Sequence, residues 1–158
     1  MSQTYEDRLT LEAWNGKLGR IPLMTCTVEE DTTEFDIDIT GIDWASYAAV
    51  AMVIIPSAYV NADMYLKTNN TNKPDYRALY GTGTTTNGMA YLSIRTPSLL
   101  IFPTRYNADI VPTVLVVTET DFGYGMQGGA KYSNLTTLKL TTGYHIPAGT
   151  TIRFTGIR

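Results

Sequence analysis

The chain has 158 residues, 44% of them hydrophobic and 17% charged, a balance that excludes a disordered segment and fits one domain whose core needs no metal or disulfide to hold it. Twelve basic and 15 acidic residues leave a net charge of −3 with no basic cluster, which sets nucleic-acid partners aside. Cys26 is the single cysteine and no apolar run approaches the roughly 20 residues of a spanning helix, so an intrachain disulfide, a thiolate metal site and membrane insertion are also excluded.

Met1 to Tyr5 has neither the basic nor the apolar region of a secretory signal, so the expectation is a protein made and folded in cytoplasm. Between Thr4 and Trp14 the spacing of Tyr5, Leu9 and Ala13 is helical, Thr4 is placed to cap, and Glu6 and Asp7 suit a helix N-terminus. Asn15-Gly16 ends the pattern. So short a helix does not hold without docking, so the segment reads as an arm or helix that leans on a neighbour. Tyr5, Leu9, Trp14 and Leu18 are its candidate anchors. The expected division is a leading segment over 1–24 and a β-sandwich over 25–158.

From Leu18 onward the signals are those of strands, short apolar or alternating runs separated by Gly, Pro, Asn and Asp. Phe35, Ile37 and Ile39 alternate with Asp36 and Asp38, which predicts a half-buried strand with the two aspartates on its solvent face. Tyr47 to Ile55 is almost continuously apolar, as a central strand covered on both faces is, and Pro56 ends its pairing. Met64 and Leu66 mark a short strand. The polar stretch Thr68 to Asn87 reads as surface loops of the kind that carry function. Further strands are expected at Ala90 to Ile94, Leu99 to Phe102, Val111 to Thr118, Leu135 to Leu140 and Thr150 to Phe154, with Gly123, Gly125, Gly128 and Gly129 marking a loop. Eight or nine short strands without a helical crossover predict an all-β fold, an antiparallel sandwich of jelly-roll type with a short N-terminal arm or helix.

Catalytic chemistry finds little support. His145 is the only histidine, expected in a turn between Gly143 and Pro147, and one His with one Cys does not complete a triad or a zinc site. Asp36 and Asp38 lie about 7 Å apart along a strand, and they read as the ordinary solvent face and not as paired glycosidase carboxylates. Glu29, Glu30 and Asp31 form a solvated turn without the spaced oxygens of a calcium loop. Gly81-Thr82-Gly83 lacks the lysine of a phosphate loop. No enzyme, cofactor or metal is expected. Tyrosine is the unusual abundance, 11 residues, and its ring combines apolar area with a hydrogen-bonding edge suited to sugars and interfaces. Tyr76, Tyr80 and Tyr124 fall in or beside expected loops, and Asn69, Asn70 and Asn72 accompany them.

Ile146-Pro147-Ala148-Gly149-Thr150-Thr151-Ile152-Arg153-Phe154-Thr155-Gly156-Ile157 resembles the closing strand of β-sandwich modules in structural proteins of tailed-bacteriophage virions. Ile39-Thr40-Gly41-Ile42 leading through Tyr47 to the strand Val50 to Ile55, then Met64 to Asn69 and Tyr76, is similar to an earlier part of the same modules. The resemblance implies a component of head decorations, head fibres or tail fibres, without a catalytic motif to carry over. With only a short leader ahead of Phe35 and no shaft, the expected role is capsid decoration, an auxiliary head protein in the virion, made in the host bacterial cytoplasm and bound to other virion proteins through the leading segment. The alternative is a receptor- or glycan-binding module of a head or tail fibre, with Tyr76, Tyr80 and Tyr124 stacking on sugar and Asn69, Asn70 and Asn72 hydrogen-bonding it. Family analogy makes the expected state a homo-oligomer, taken as a trimer.

Overall fold

A computed structural model describes residues 19–68, 75–80, 83–85, 88–118, 122–128 and 130–158. The helical pattern at Thr4 to Trp14, the anchor candidates Tyr5, Leu9, Trp14 and Leu18, and Asn69, Asn70 and Asn72 lie outside the described residues. The strands in chain order are β1 (Arg20–Thr27), β2 (Thr32–Asp38), β3 (Ala49–Ile55), β4 (Asp63–Thr68), β5 (Asp75–Tyr80), β6 (Gly83–Thr85), β7 (Ala90–Ser93), β8 (Ser98–Pro103), β9 (Thr113–Val117), β10 (Phe122–Gly128), β11 (Thr137–Ile146) and β12 (Thr151–Ile157). Two 3-10 turns, Trp44–Ser46 and Tyr132–Asn134, complete the regular structure among the described residues. No helix there is long and apolar enough to cross a membrane.

The strands form two antiparallel sheets, one in the order β1-β12-β3-β8-β9-β10-β5-β6 and one in the order β2-β11-β4-β7. Eight of them pair from the outside inward: β1 with β12, β2 with β11, β3 with β8 and β4 with β7. Lateral pairings of β12 with β3 and β11 with β4 close this folded ribbon into two sheets, which is the jelly-roll connection expected of an all-β sandwich. The remaining four strands are additions. The β5–β6 hairpin enters between β4 and β7, β9 and β10 enter between β8 and β11, and all four extend the larger sheet.

The core follows from alternation. Val50, Met52 and Ile54 of β3, Leu100 and Phe102 of β8 and Ile152 and Phe154 of β12 point inward from the larger sheet. Met64 and Leu66 of β4 with Leu138 and Leu140 of β11 meet them from the smaller one. Each such side chain contributes about 1.5–3 kcal/mol by leaving water. The two 3-10 turns bring in an aromatic group that the sequence pattern does not single out. Trp44 stacks on Tyr132 at 4.9 Å between ring centroids and meets Phe102 edge-on at 5.9 Å. The Tyr132 hydroxyl donates to the Thr113 carbonyl at 2.8 Å and accepts from the Thr113 amide at 3.2 Å, so a wholly buried phenol has no unmet polar group.

Several expectations are corrected. The glycine-rich stretch after Asp121 is strand β10 and not a loop, and the polar stretch Thr68 to Asn87 contains β5 and β6. Glycine suits β10 because a Cβ on Gly125 would stand 1.6 Å from the Met89 carbonyl oxygen; backbone crosses here where no side chain fits. His145 belongs to β11, which runs ten residues through Gly143, because pairing with β2 resumes at Ile146 after an irregularity. β1 starts at Arg20, so Arg20 to Met24, assigned by pattern to the leading segment, pair with β12 as part of the sandwich. Cys26 is half-buried on this edge strand, and burial pushes its thiol pKa up. Gly149 holds φ at 84°, the left-handed value a tight turn requires. Within β12, Gly156 makes room for a neighbour: the Tyr47 ring lies where its Cβ would be.

Candidate interaction surface

The two outer faces of the sandwich differ in chemistry. On the smaller sheet, outward positions carry Glu34 and Asp36 on β2, Lys139 on β11 and Tyr65 on β4. Lys139 Nζ lies 3.0 Å from Glu34 Oε2 and 3.5 Å from Asp36 Oδ1, and the hydrogen bond to Glu34 is the main cause of its raised pKa. Tyr65 meets its cross-strand partner Tyr91 edge-on at 5.6 Å. Asp38 accepts from the Thr40 amide at 2.9 Å and from its hydroxyl at 2.7 Å, and the backbone bond chiefly holds its pKa below the usual carboxylate value. These residues form a polar face on which Lys139 is engaged with Glu34 and Asp36, and Lys67 of β4, the register partner of Lys139, adds a further charge.

The outer face of the larger sheet is apolar over its four central strands. Strands β3, β8, β9 and β10 read AVAMVII, SLLIFP, TVLVV and FGYGMQG, without a charged residue. In β3, β8 and β9 the inward positions alternate with outward ones that are also apolar, so these runs are largely hydrophobic on both sides. Register aligns the outward residues in rows. Val53 faces Leu99, Leu99 faces Val117, and Val117 faces Phe122. One row along, Ala51, Ile101, Leu115 and Tyr124 follow one another across the same four strands. Exposure rises toward β10, to 43% at Val117 and Tyr124 and 63% at Phe122. A sheet whose second face meets only water normally alternates apolar with polar residues, and continuous apolar surface of this extent marks an interaction site.

The sequence-derived candidates distribute unevenly over this surface. Tyr124 lies in the apolar field, on a strand and not on a loop. Tyr76 and Tyr80 belong to β5, where Gln127 and Gly123 of β10 are their register partners, so they too occupy strand positions and not loop tips. Phe122, Val117 and Leu115 escape a reading of the sequence. Their signal is present in the absence of polar alternation over TVLVV, but a one-dimensional pattern does not say which side of such a run meets the core.

Elsewhere the described surface is less suggestive. Thr27, Glu29, Glu30, Thr32, Glu34 and Phe35 line an open groove of about 740 Å³. Its acidic turn is structural in part: Asp31 accepts from the Ala148 amide at 2.8 Å, which joins the turn after β1 to the turn before β12. No group of three or more His, Cys, Asp or Glu among the described residues is arranged to hold a metal. His145 lies half-buried with its ring 5.6 Å from that of Tyr144. Compared with protein-family models, curated proteins and solved structures, the chain matches none of them.

Proposed function

We propose that this chain is a structural protein of a tailed-bacteriophage virion, a decoration or auxiliary head protein that binds the particle and reinforces its surface. It acts by docking and not by turnover. The observation that carries a binding role is the uncharged, apolar outer face of β3, β8, β9 and β10. The virion context rests on the resemblance of Ile146 to Ile157 and of Ile39 to Tyr76 to phage sandwich modules. In this reading the leading segment, with Tyr5, Leu9, Trp14 and Leu18, holds the particle through the apolar area it buries there. Co-sedimentation with empty capsids tests it. The full chain is expected to pellet with particles, and deletion of residues 1–17 is expected to abolish pelleting while the β-sheet circular dichroism persists. Equal pelleting by the truncated chain refutes the anchor, and no pelleting by either refutes the decoration role.

A second reading has its own observation. Tyr59, Tyr106 and Tyr144 are 70%, 56% and 64% exposed, and exposed rings of this kind stack on sugar faces. A glycan-binding module of a head or tail fibre would use one such ring, with Tyr144 on the smaller sheet and Tyr124 on the larger as the candidates. A glycan array probed with purified protein distinguishes the two: sugar-dependent signal lost on Tyr124→Ala or Tyr144→Ala favours the fibre module, and no signal removes it.

A further inference from the structure

We infer that the outer face of the smaller sheet carries a binding strip for a short neutral oligosaccharide, built on the Tyr65–Tyr91 ring pair and running through Asp63 and Ser93 to Asn61 and Arg95, an assignment that rests on the glycan-binding reading above and moves the sugar to a new site. The particle-binding role does not enter it, since that role uses the other sheet.

Register builds the strip. In β4 the alternation that buries Met64 and Leu66 turns Asp63 and Tyr65 outward, and in β7 the burial of Ala90 and Leu92 turns Tyr91 and Ser93 outward. Tyr65 faces Tyr91, and Asp63 faces Ser93. The pairing continues past the strand ends, where the Ile94 amide donates to the Ala62 carbonyl at 3.1 Å and Arg95 Nε donates to Asn61 Oδ1 at 2.7 Å. Three rows therefore follow one another across the same two strands: a pair of rings, a carboxylate with a hydroxyl, and an amide with a guanidinium. Strand rise separates the rows by about 7 Å and makes the strip about 13 Å long, room for a short oligosaccharide and more than one sugar ring fills.

The chemistry of these rows names the ligand. Tyr65 and Tyr91 meet edge-on, with 5.6 Å between centroids and 69° between planes, and both are partly exposed. Their register neighbours on this face, Asp63, Ser93 and Thr141, are polar, so the rings form an aromatic island in a polar field. A ring face takes the C–H side of a pyranose, and polar groups set around it take the hydroxyls. Arg95 is fixed in place although it is exposed, because Ser93 Oγ accepts from its amide at 3.2 Å and from Nη1 at 3.5 Å while Asn61 holds Nε. Both partners are neutral, so these bonds leave its charge unspent, and a group held in this way loses little freedom on binding. Asp63 supplies an acceptor of opposite charge one row away. The strip is thus neutral as a whole and offers donors and acceptors together, as sugar hydroxyls require, whereas an acidic sugar would meet the Asp63 carboxylate.

An array of neutral and of carboxylated or sulfated oligosaccharides, probed with the purified full chain and followed by titration of the strongest binder, tests the assignment. Signal is expected on neutral structures. Arg95→Ala and Tyr65→Ala are each expected to weaken binding by about tenfold, and Tyr65→Phe, which keeps the ring, to stay within about twofold of wild type. A cross-strand aromatic pair also stabilises a sheet, so Tyr65→Ala lowers Tm on any account, and the exposed Arg95→Ala decides the matter if that variant does not fold. Signal that survives both alanine variants overturns the strip, and its loss on Tyr144→Ala or Tyr124→Ala instead leaves the glycan-binding reading standing without it. Binding confined to acidic sugars overturns the choice of ligand. Absence of any sugar-dependent signal overturns the strip and the glycan-binding reading together.

Discussion

Gly125→Ala makes the most direct demand on this architecture, because it adds one methyl group where backbone already passes. The new Cβ would lie 1.6 Å from the Met89 carbonyl oxygen, 2.8 Å from its carbon and 3.4 Å from Val114 Cγ1. The first two atoms are main chain and cannot turn aside as a side chain does. Met89 cannot simply retreat, since its amide donates to the Leu66 carbonyl at 2.6 Å. Strand β10 must therefore separate from the segment entering β7, between the pairings that hold it to β5 and β9. Overpacking typically costs 1–3 kcal/mol, and a backbone obstacle places this site at the upper end, about 3 kcal/mol. For a chain of this length that lowers Tm by about 6–12 °C. Gly143→Ala is the control, since nothing lies within 4 Å of its Cβ position, and it is expected to change stability by no more than about 0.5 kcal/mol. Urea and thermal unfolding of both variants decide the matter. A Gly125→Ala protein as stable as the control would refute the packing of β10 on Met89 and, with it, the placement of Phe122 and Tyr124 on the apolar face.

Other expectations address the core, the backbone and titration. Phe154→Ala removes a ring that is 1% exposed and is expected to cost about 3–5 kcal/mol, read as a lower urea midpoint at unchanged slope; a loss below about 1 kcal/mol contradicts its central position. Arg105 and Tyr106 hold φ at 53° and 57°, a conformation that costs a side-chain-bearing residue about 1–2 kcal/mol. Arg105→Gly is therefore expected to gain about 0.5 kcal/mol after the greater freedom of glycine in the unfolded chain is subtracted, and thermal unfolding will show a higher or equal Tm. Burial pushes the Tyr132 hydroxyl pKa up to about 12. The folded state thus keeps a proton that the unfolded state releases near 10, so this contribution is complete below about pH 10 and is lost as pH rises through about 12. Ultraviolet titration of the wild type against Tyr132→Phe is expected to show one late-ionising phenol missing from the variant, and identical curves would contradict the burial of Tyr132.

Legibility differs from element to element for identifiable reasons. β2 can be read because Phe35 and Ile37 alternate with Asp36 and Asp38, a local pattern with one solution. Thr151 to Phe154 can be read for the same reason, and Gly149 marks the turn before it. β10 cannot, since FGYGMQG has the composition of a loop until Met89 is placed against Gly125 by contacts distant in sequence. Among the candidate residues, Tyr124 stands out for its chemistry but belongs to a strand that its glycine neighbours disguise as a loop. Phe122, Val117 and Leu115 do not stand out at all, because an apolar residue in a strand is assumed to face inward.

Period-2 hydrophobicity and turn residues act within a few positions of one another, so the order of amino acids alone was enough to specify antiparallel strands packed as a sandwich. The same local chemistry set strand limits near Pro56 and Gly149, where proline and glycine constrain the backbone directly. The pairing of β1 with β12 and of β2 with β11, the widening of one sheet by four added strands, and the side of β3, β8 and β9 that stays outside emerge only when the chain is folded. Pairing partners are remote in the chain, and a run that is apolar at every position carries no period from which an inner face can be chosen.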